Sequence, residues 1–117
     1  LHEKLVVEEY TVDTSKVITS GAMDPVTVDT VPFADFRSAR YTVQISNISS
    51  NEYQSLEVLL VHDGSQVLTT TFGELFTGTS PEGTVDFNIV GSNVVLTITP
   101  SSTNSYEFKS VRHSISV

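Results

Sequence analysis

The chain has 117 residues and no cysteine, and its 6 basic against 14 acidic residues give a formal net charge of −8. This length suits one domain, the missing thiols exclude disulfides and thiolate metal sites, and the acidic balance opposes binding to nucleic acid or to an anionic membrane. No apolar segment approaches the roughly 20 residues that a membrane-spanning helix needs. We therefore expect no nucleic acid and no membrane among the partners.

The first third of the chain contains short apolar segments, Leu5-Val6-Val7 and Val17-Ile18, separated by acidic and polar residues. This pattern predicts edge strands or an extended arm over residues 1–31, followed by a β-sandwich domain over residues 32–117. Such an arm gains little by folding on itself and more by adding a strand to a sheet edge. The edge can belong to its own sandwich or to a neighbouring subunit, and we favour the neighbour.

Apolar and polar residues alternate with period two through residues 41–46, 85–89 and 94–99, which predicts half-buried antiparallel strands. The side chains that we expect to be buried are Tyr41, Val43, Ile45, Leu60, Phe87, Ile89, Leu96 and Ile98. Roughly seven or eight short strands, with turns at sandwich spacing, predict an all-β fold. We expect a single antiparallel β-sandwich of jelly-roll or immunoglobulin-like type.

His62-Asp63-Gly64 lies between two strand-like segments, and Asp-Gly between strands is a strong hairpin signal. Gly91-Ser92 predicts a second hairpin turn. A small hydrolase built on His62 is the weakest hypothesis, because adjacent strand residues point to opposite faces and no nucleophile elbow is present. We expect His62 at the surface beside a turn, no catalytic residue, and no enzymatic activity.

The last strand is predicted to start near Tyr106 and to run to Val117, but its apolar alternation slips. The even apolar residues are Tyr106 and Phe108, and the odd ones are Val111, Ile115 and Val117. One extra residue near Ser110 would restore a single inner face, so the pattern predicts a β-bulge there. His113 would then face inward.

No metal or cofactor is expected. The 3 histidines are scattered without metal-ligand spacing. Asp24, Asp29 and Asp35 recur loosely around two prolines, but they lack the ligand pattern of a calcium-binding loop.

Two groups of residues are candidates for an interface. The segment 72–78 is predicted to be a loop that presents apolar side chains among glycines. These side chains are Phe72, Leu75 and Phe76. Arg37 and Arg40 flank the start of a strand, and they either pair with Asp35 and a glutamate or contact a neighbouring subunit.

The order and spacing of several segments carry a resemblance. Its most specific parts are SARYTVQI at 38–45 and VHDG at 61–64, and Glu52-Tyr53-Gln54, residues 93–100 and the last strand also fit. Over about two-thirds of the chain, the sequence resembles a β-sandwich domain of tailed-phage structural proteins, especially in marine myoviruses that infect cyanobacteria.

The resemblance implies a virion structural protein: a capsid decoration, fibre or tail module without catalytic residues. Its partners would be other virion proteins and copies of itself, in a homo-oligomer. The alternative is a glycan-binding or adhesin module, for which Tyr10, Tyr53 and Tyr106 are the aromatic candidates.

Overall fold

The computed structural model describes residues 2–7 and 9–116, and this part of the chain forms nine β-strands. The strands are β1 (His2–Val7), β2 (Tyr10–Thr19), β3 (Val26–Pro32), β4 (Phe36–Asn47), β5 (Glu52–His62), β6 (Val67–Phe76), β7 (Gly83–Val90), β8 (Asn93–Pro100) and β9 (Tyr106–Ser116). The described residues contain no helix that is long and apolar enough to cross a membrane.

The strands form two antiparallel sheets. The larger sheet has six strands in the order β1-β2-β9-β4-β5-β6, and the smaller has three in the order β3-β8-β7. One apolar core is shared by residues of both sheets. The predicted all-β class and antiparallel sandwich are therefore confirmed.

Most of the predicted core positions are fully buried. These are Tyr41, Val43, Ile45, Leu60, Leu96 and Ile98. Phe87 and Ile89 are only partly buried and pack against this core, because β7 is an edge strand of the smaller sheet and has a neighbour on one side only.

Both predicted hairpin turns are present. Residues 63–66 join β5 to β6, and Gly64 adopts a φ of 89° there. Gly91-Ser92 joins β7 to β8, and Gly91 has a φ of 61°. Glycine adopts these positive angles without the steric cost that a Cβ atom would add, so local sequence chemistry fixes both turns.

The first 31 residues contribute to both sheets. β1 and β2 form a hairpin, and β2 pairs with β9 of the same chain. β3 pairs with β8, and Val28 and Val31 on β3 belong to the core. The boundary at residue 31 stays a prediction, as does the pairing of an arm with a neighbouring subunit.

The β-bulge predicted near Ser110 is wrong. β9 keeps an uninterrupted register with β2, and its even residues face inward along its whole length. The inward side chains are Tyr106, Phe108, Ser110, Arg112 and Ser114. Arg112 holds its inward position because two carboxylates pair with it, which offsets the cost of burying a charge. His113 therefore lies on the outer face rather than inward, and the predicted strand end at Val117 lies outside the described residues.

Candidate docking surface

The outer face of the six-stranded sheet points away from the smaller sheet. Because side chains alternate between faces along each strand, the pairing register identifies the outward residues. One row across the sheet consists of Leu5, Val12, His113, Arg40, Leu59 and Thr70. The next row contains Tyr10, Ile115, Ser38, Val61 and Leu68. The sheet thus brings together residues from all six of its strands, although these residues are far apart in sequence.

A groove of about 690 Å³ lies over these two rows. Its apolar side chains are large and are each between 42% and 59% exposed. They are Tyr10, Leu59, Val61, Leu68 and Ile115. A solvated sheet face normally carries polar residues, and a contiguous exposed apolar patch marks an interaction site. Strand formation alone does not explain this face.

Polar groups lie within the same groove. The Tyr10 hydroxyl is hydrogen-bonded to Nδ1 of His113. Nε of Arg40 lies 3.7 Å from Oε1 of Glu57, and the two side chains are 51% and 36% exposed. Surface pairs of this kind contribute only about 0–1 kcal/mol, so Arg40 is available to a partner.

The outer face is charge-balanced, although the whole chain carries a net charge of −8. The described residues at outward register positions of this six-stranded sheet include three acidic and three basic ones. The acidic ones are Glu3, Glu57 and Glu107, and the basic ones are Lys16, Arg40 and Lys109. The excess negative charge therefore lies elsewhere on the molecule.

β6 forms one edge of this face. All of its residues after Val67 are exposed. Opposite Leu56, β6 carries two residues, Gly73 and Glu74, and Gly73 has a φ of 64°. This is a β-bulge with glycine in the left-handed region. The segment 72–78, which the sequence predicted as a loop, is a strand up to Phe76, because Gly73 makes a bulge and not a chain reversal.

The five predicted interface residues lie in different surroundings. Arg40 lines the groove and Phe72 lies outward on β6. Leu75 and Phe76 line a second groove of about 430 Å³. Arg37 lies in a bulge of β4 and donates hydrogen bonds to the carbonyl oxygens of the nearby residues 33 and 36. Among the ion pairs between described residues, none joins Arg37 to an aspartate.

His62 is buried, contrary to the expectation of a surface residue. The Gly64 backbone N–H donates to its Nδ1 at 3.1 Å. Nε2 therefore carries the hydrogen and donates to the Phe36 carbonyl oxygen at 2.6 Å. Both ring nitrogens of His62 are occupied by backbone groups, so its role here is to join the β5–β6 turn to the start of β4.

Asp63 organises the same turn and does not orient His62. Its Oδ1 accepts hydrogen bonds from the backbone N–H groups of Ser65 and Gln66 and from the Ser65 hydroxyl, each at 2.9 Å. The bonds from Gln66 and then Ser65 lower the pKa of Asp63 to about 2. The three residues form a turn, and their geometry is not that of a serine triad.

A buried ionic cluster joins the two sheets. Arg112 on β9 donates from Nη1 to Asp29 on β3 at 2.6 Å and from Nη2 to Asp13 on β2 at 2.8 Å. The Tyr41 hydroxyl donates to the same Asp29 oxygen at 2.8 Å. Burial and then the Asp29 carboxylate raise the pKa of Tyr41 well above its ordinary value. Burial is the largest influence and opposes the charge of Arg112, but Asp29, Tyr41 and Asp13 together outweigh it, so the pKa of Arg112 is raised.

Sequence reasoning missed this cluster, although one signal was present. Tyr106 and Phe108 set the inward parity of β9, and continuing that parity without a bulge places Arg112 in the core. Asp29, considered above for calcium, serves Arg112 instead. The described residues contain no group of three or more His, Cys, Asp or Glu side chains that could hold a metal ion.

The three tyrosines considered for a sugar platform are separated. Tyr106 is fully buried, whereas Tyr10 and Tyr53 are exposed. Tyr10 lines the larger groove and Tyr53 the smaller one. A combined aromatic platform is therefore not formed, and each exposed tyrosine has to be considered by itself.

No protein-family model matches the sequence, and no curated protein matches it. Solved structures with a similar fold include tailspike proteins of two Acinetobacter phages. The tailspike of Acinetobacter baumannii bacteriophage Fri1, a capsular polysaccharide depolymerase, aligns with a TM-score of 0.54 and 16% identity, over 97% of this chain and 20% of that chain. The tailspike of Acinetobacter phage vB_ApiP_P1 aligns with a TM-score of 0.56 and 15% identity, over 87% of this chain and 22% of that one.

At these identities the likeness shows the fold alone. The chain spans about a fifth of the length of either tailspike. Its fold is therefore one that occurs as a β-rich part of phage tailspikes, and the finer resemblance to proteins of cyanobacterial myoviruses stays a prediction.

The expectation that the protein is not an enzyme is corrected by this comparison. The Fri1 tailspike contains a region of this fold and is itself a depolymerase. The expectation rested on the absence of catalytic motifs within these 117 residues. A domain without such a motif can still be part of an enzyme, so this absence does not exclude enzymatic activity.

Proposed function

We propose that the chain is a structural module of a phage tailspike or tail fibre, and that the outer face of its larger sheet binds another polypeptide of the virion. The observation that carries this proposal is the exposed apolar groove across β2, β9, β4, β5 and β6. The fold likeness to two tailspikes supports the tail as its location. The sequence resemblance supports a virion protein of a tailed phage, with myoviruses of cyanobacteria as the finer assignment.

Immunogold electron microscopy tests this location. An antibody raised against the chain should label the tail end of the intact particles that carry it. Label on the head alone would exclude a tail module in favour of a capsid decoration. Particles in which the chain is undetectable by mass spectrometry would overturn the virion assignment altogether.

Glycan binding is the second candidate function. Tyr53 is 45% exposed and shares the smaller groove with Gln44 and Ser55. This places an aromatic ring beside an amide and a hydroxyl, which suits stacking and hydrogen bonding to a sugar. The Fri1 tailspike acts on a capsular polysaccharide, which adds support for the same class of ligand.

Capsular polysaccharide binding by the Y53A variant, compared with Y10A, tests the second candidate. Loss of binding in Y53A with retention in Y10A is the result that glycan binding in the smaller groove predicts. Equal binding by wild type, Y53A and Y10A, or no binding by any of them, would contradict it. Circular dichroism establishes that each variant is folded.

A further inference from the structure

The docking surface carries two properties that together indicate its partner. It is apolar at one end, around Leu59, Val61 and Ile115, and it is charge-balanced over its whole extent. From these properties we infer that the partner is a second copy of this chain. The inference rests on the proposed function, because it names the occupant of the same surface.

The charge distribution favours a copy as the partner. Two molecules that each carry a charge of −8 repel each other over most of their surfaces. The outer face is the exception, because its three acidic and three basic residues cancel. Two copies can therefore approach through this face without the repulsion that other orientations meet.

The arrangement of the charges favours a copy further. Arg40 and Glu57 make a single long contact of 3.7 Å, and both side chains are partly exposed. Each can therefore turn to the opposite charge on a facing molecule without losing a strong bond within its own chain. A face that carries both members of an ion pair beside an apolar groove is complementary to itself.

The extent of the face is sufficient for a specific interface. Five inter-strand spacings of about 4.8 Å and about ten residues of 3.3 Å rise give a flat area of roughly 800 Å², and a standard interface removes about 800 Å² of accessible surface from each partner. The apolar groove would form the core of such an interface and the charged residues its rim.

The edge strand β6 extends the same surface. Leu68, Phe72 and Leu75 lie outward on β6 and are between 41% and 73% exposed. The one charged residue of β6, Glu74, is directed to Gln54, whose Nε2 donates to it at 2.8 Å. Apart from the bulge at Gly73, this long edge has neither an outward charge nor a proline, two of the features that usually prevent association. A second copy would cover it.

Sedimentation velocity over a range of concentrations tests the inference, with V61E compared to V90E. Val61 lies in the groove and Val90 lies on β7 of the other sheet, and they are 48% and 58% exposed. The wild type and V90E should associate equally. V61E should weaken association roughly tenfold or more, because it places a carboxylate among the apolar side chains that the partner would cover.

A second variant, R40E, tests the charge complementarity of the face rather than its apolar contacts. It makes the face net negative, so it should weaken association at low salt and recover part of the loss at high salt. Circular dichroism establishes that all three variants are folded.

Three results would overturn the inference: wild-type chain that stays monomeric up to about 1 mM, association that V61E leaves unchanged, or association that V90E weakens as strongly as V61E. A monomeric chain that is nevertheless labelled on the phage tail would sink this inference alone. A chain that associates as described but is missing from the particle would sink the proposed function instead.

Discussion

At the scale of single residues, Arg112 is the side chain whose loss should cost the most. It is the cation shared by two buried carboxylates, Asp13 and Asp29, and its side chain is 5% exposed. The R112M variant should lower the free energy of unfolding by about 3–5 kcal/mol, because it removes the cation that two buried carboxylates share. Urea denaturation followed by circular dichroism measures the change.

The matched control is K109M on the same strand. Lys109 pairs with Glu107 at 3.3 Å but is 49% exposed, so its loss should cost about 0–1 kcal/mol. Equal stability of R112M and K109M would show that the cluster does not stabilise the sandwich.

His62 gives a second residue-scale prediction, which reverses the sequence-based expectation of a small effect. H62A removes a buried ring and leaves the Phe36 carbonyl and the Gly64 N–H without their partner. We expect a loss of roughly 2–4 kcal/mol, since a single unsatisfied buried group already costs about 1–3 kcal/mol. Thermal and urea unfolding measure it, and H113A on the outer face is the control. A change in H62A as small as in H113A would contradict this account of His62.

The lowered pKa of Asp63 predicts that the stability of the fold depends on pH. Its pKa in the folded chain is about 2, below the ordinary value of roughly 4 for the unfolded chain. The carboxylate is thus favoured by folding, so its contribution to stability is fully present above about pH 4 and is lost as the pH falls towards 2. Stability curves of wild type and D63N should converge over this window, and an NMR titration should give the lowered pKa directly. Curves that stay parallel between pH 4 and 2 would refute the assignment.

At the scale of elements, the two parts of the N-terminal region should differ in whether the fold depends on them. The described side chains of β1 from Glu3 to Val6 are exposed, and β1 pairs only with β2. Deleting residues 1–8 should therefore leave a folded domain. Deleting residues 1–31 also removes Asp13, Asp29 and the core strand β3, and this variant should be unfolded by circular dichroism and NMR. A folded 32–117 fragment would contradict the prediction.

The strands and turns that the sequence predicted are those set by local chemistry. Alternation identified β4, β7 and β8, and glycine at Gly64 and Gly91 identified two turns. β9 and β6 were misjudged because their decisive features depend on distant residues. Arg112 faces inward only because Asp13 and Asp29 meet it from two other strands, and Gly73 forms a bulge only because β5 pairs on both sides of it.

The docking surface could not be predicted for a related reason. Arg40 was identified from the sequence, but its neighbours across the sheet, His113 and Leu59, are joined to it by register and not by sequence distance. Periodicity tells which residues of one strand share a face. It does not tell which strands are neighbours, so a surface built from five strands emerges only from the fold.

At the scale of the whole molecule, the proposed function rests on the contrast between the two sides of the larger sheet. The inner side holds the core and a buried ionic cluster. The outer side leaves large apolar residues in solvent, on a protein whose remaining surface is acidic. Burial of the outer side in an assembled particle is the central claim.

Cysteine labelling measures that burial most directly, because the chain has no cysteine of its own. V61C places a thiol in the groove, and V90C places one on the smaller sheet. In the dilute isolated chain, both variants should react with a maleimide at similar rates. In intact particles V90C should still react, whereas V61C should be protected. Equal labelling of V61C in particles and in the isolated chain would contradict the claim that this face is a docking surface.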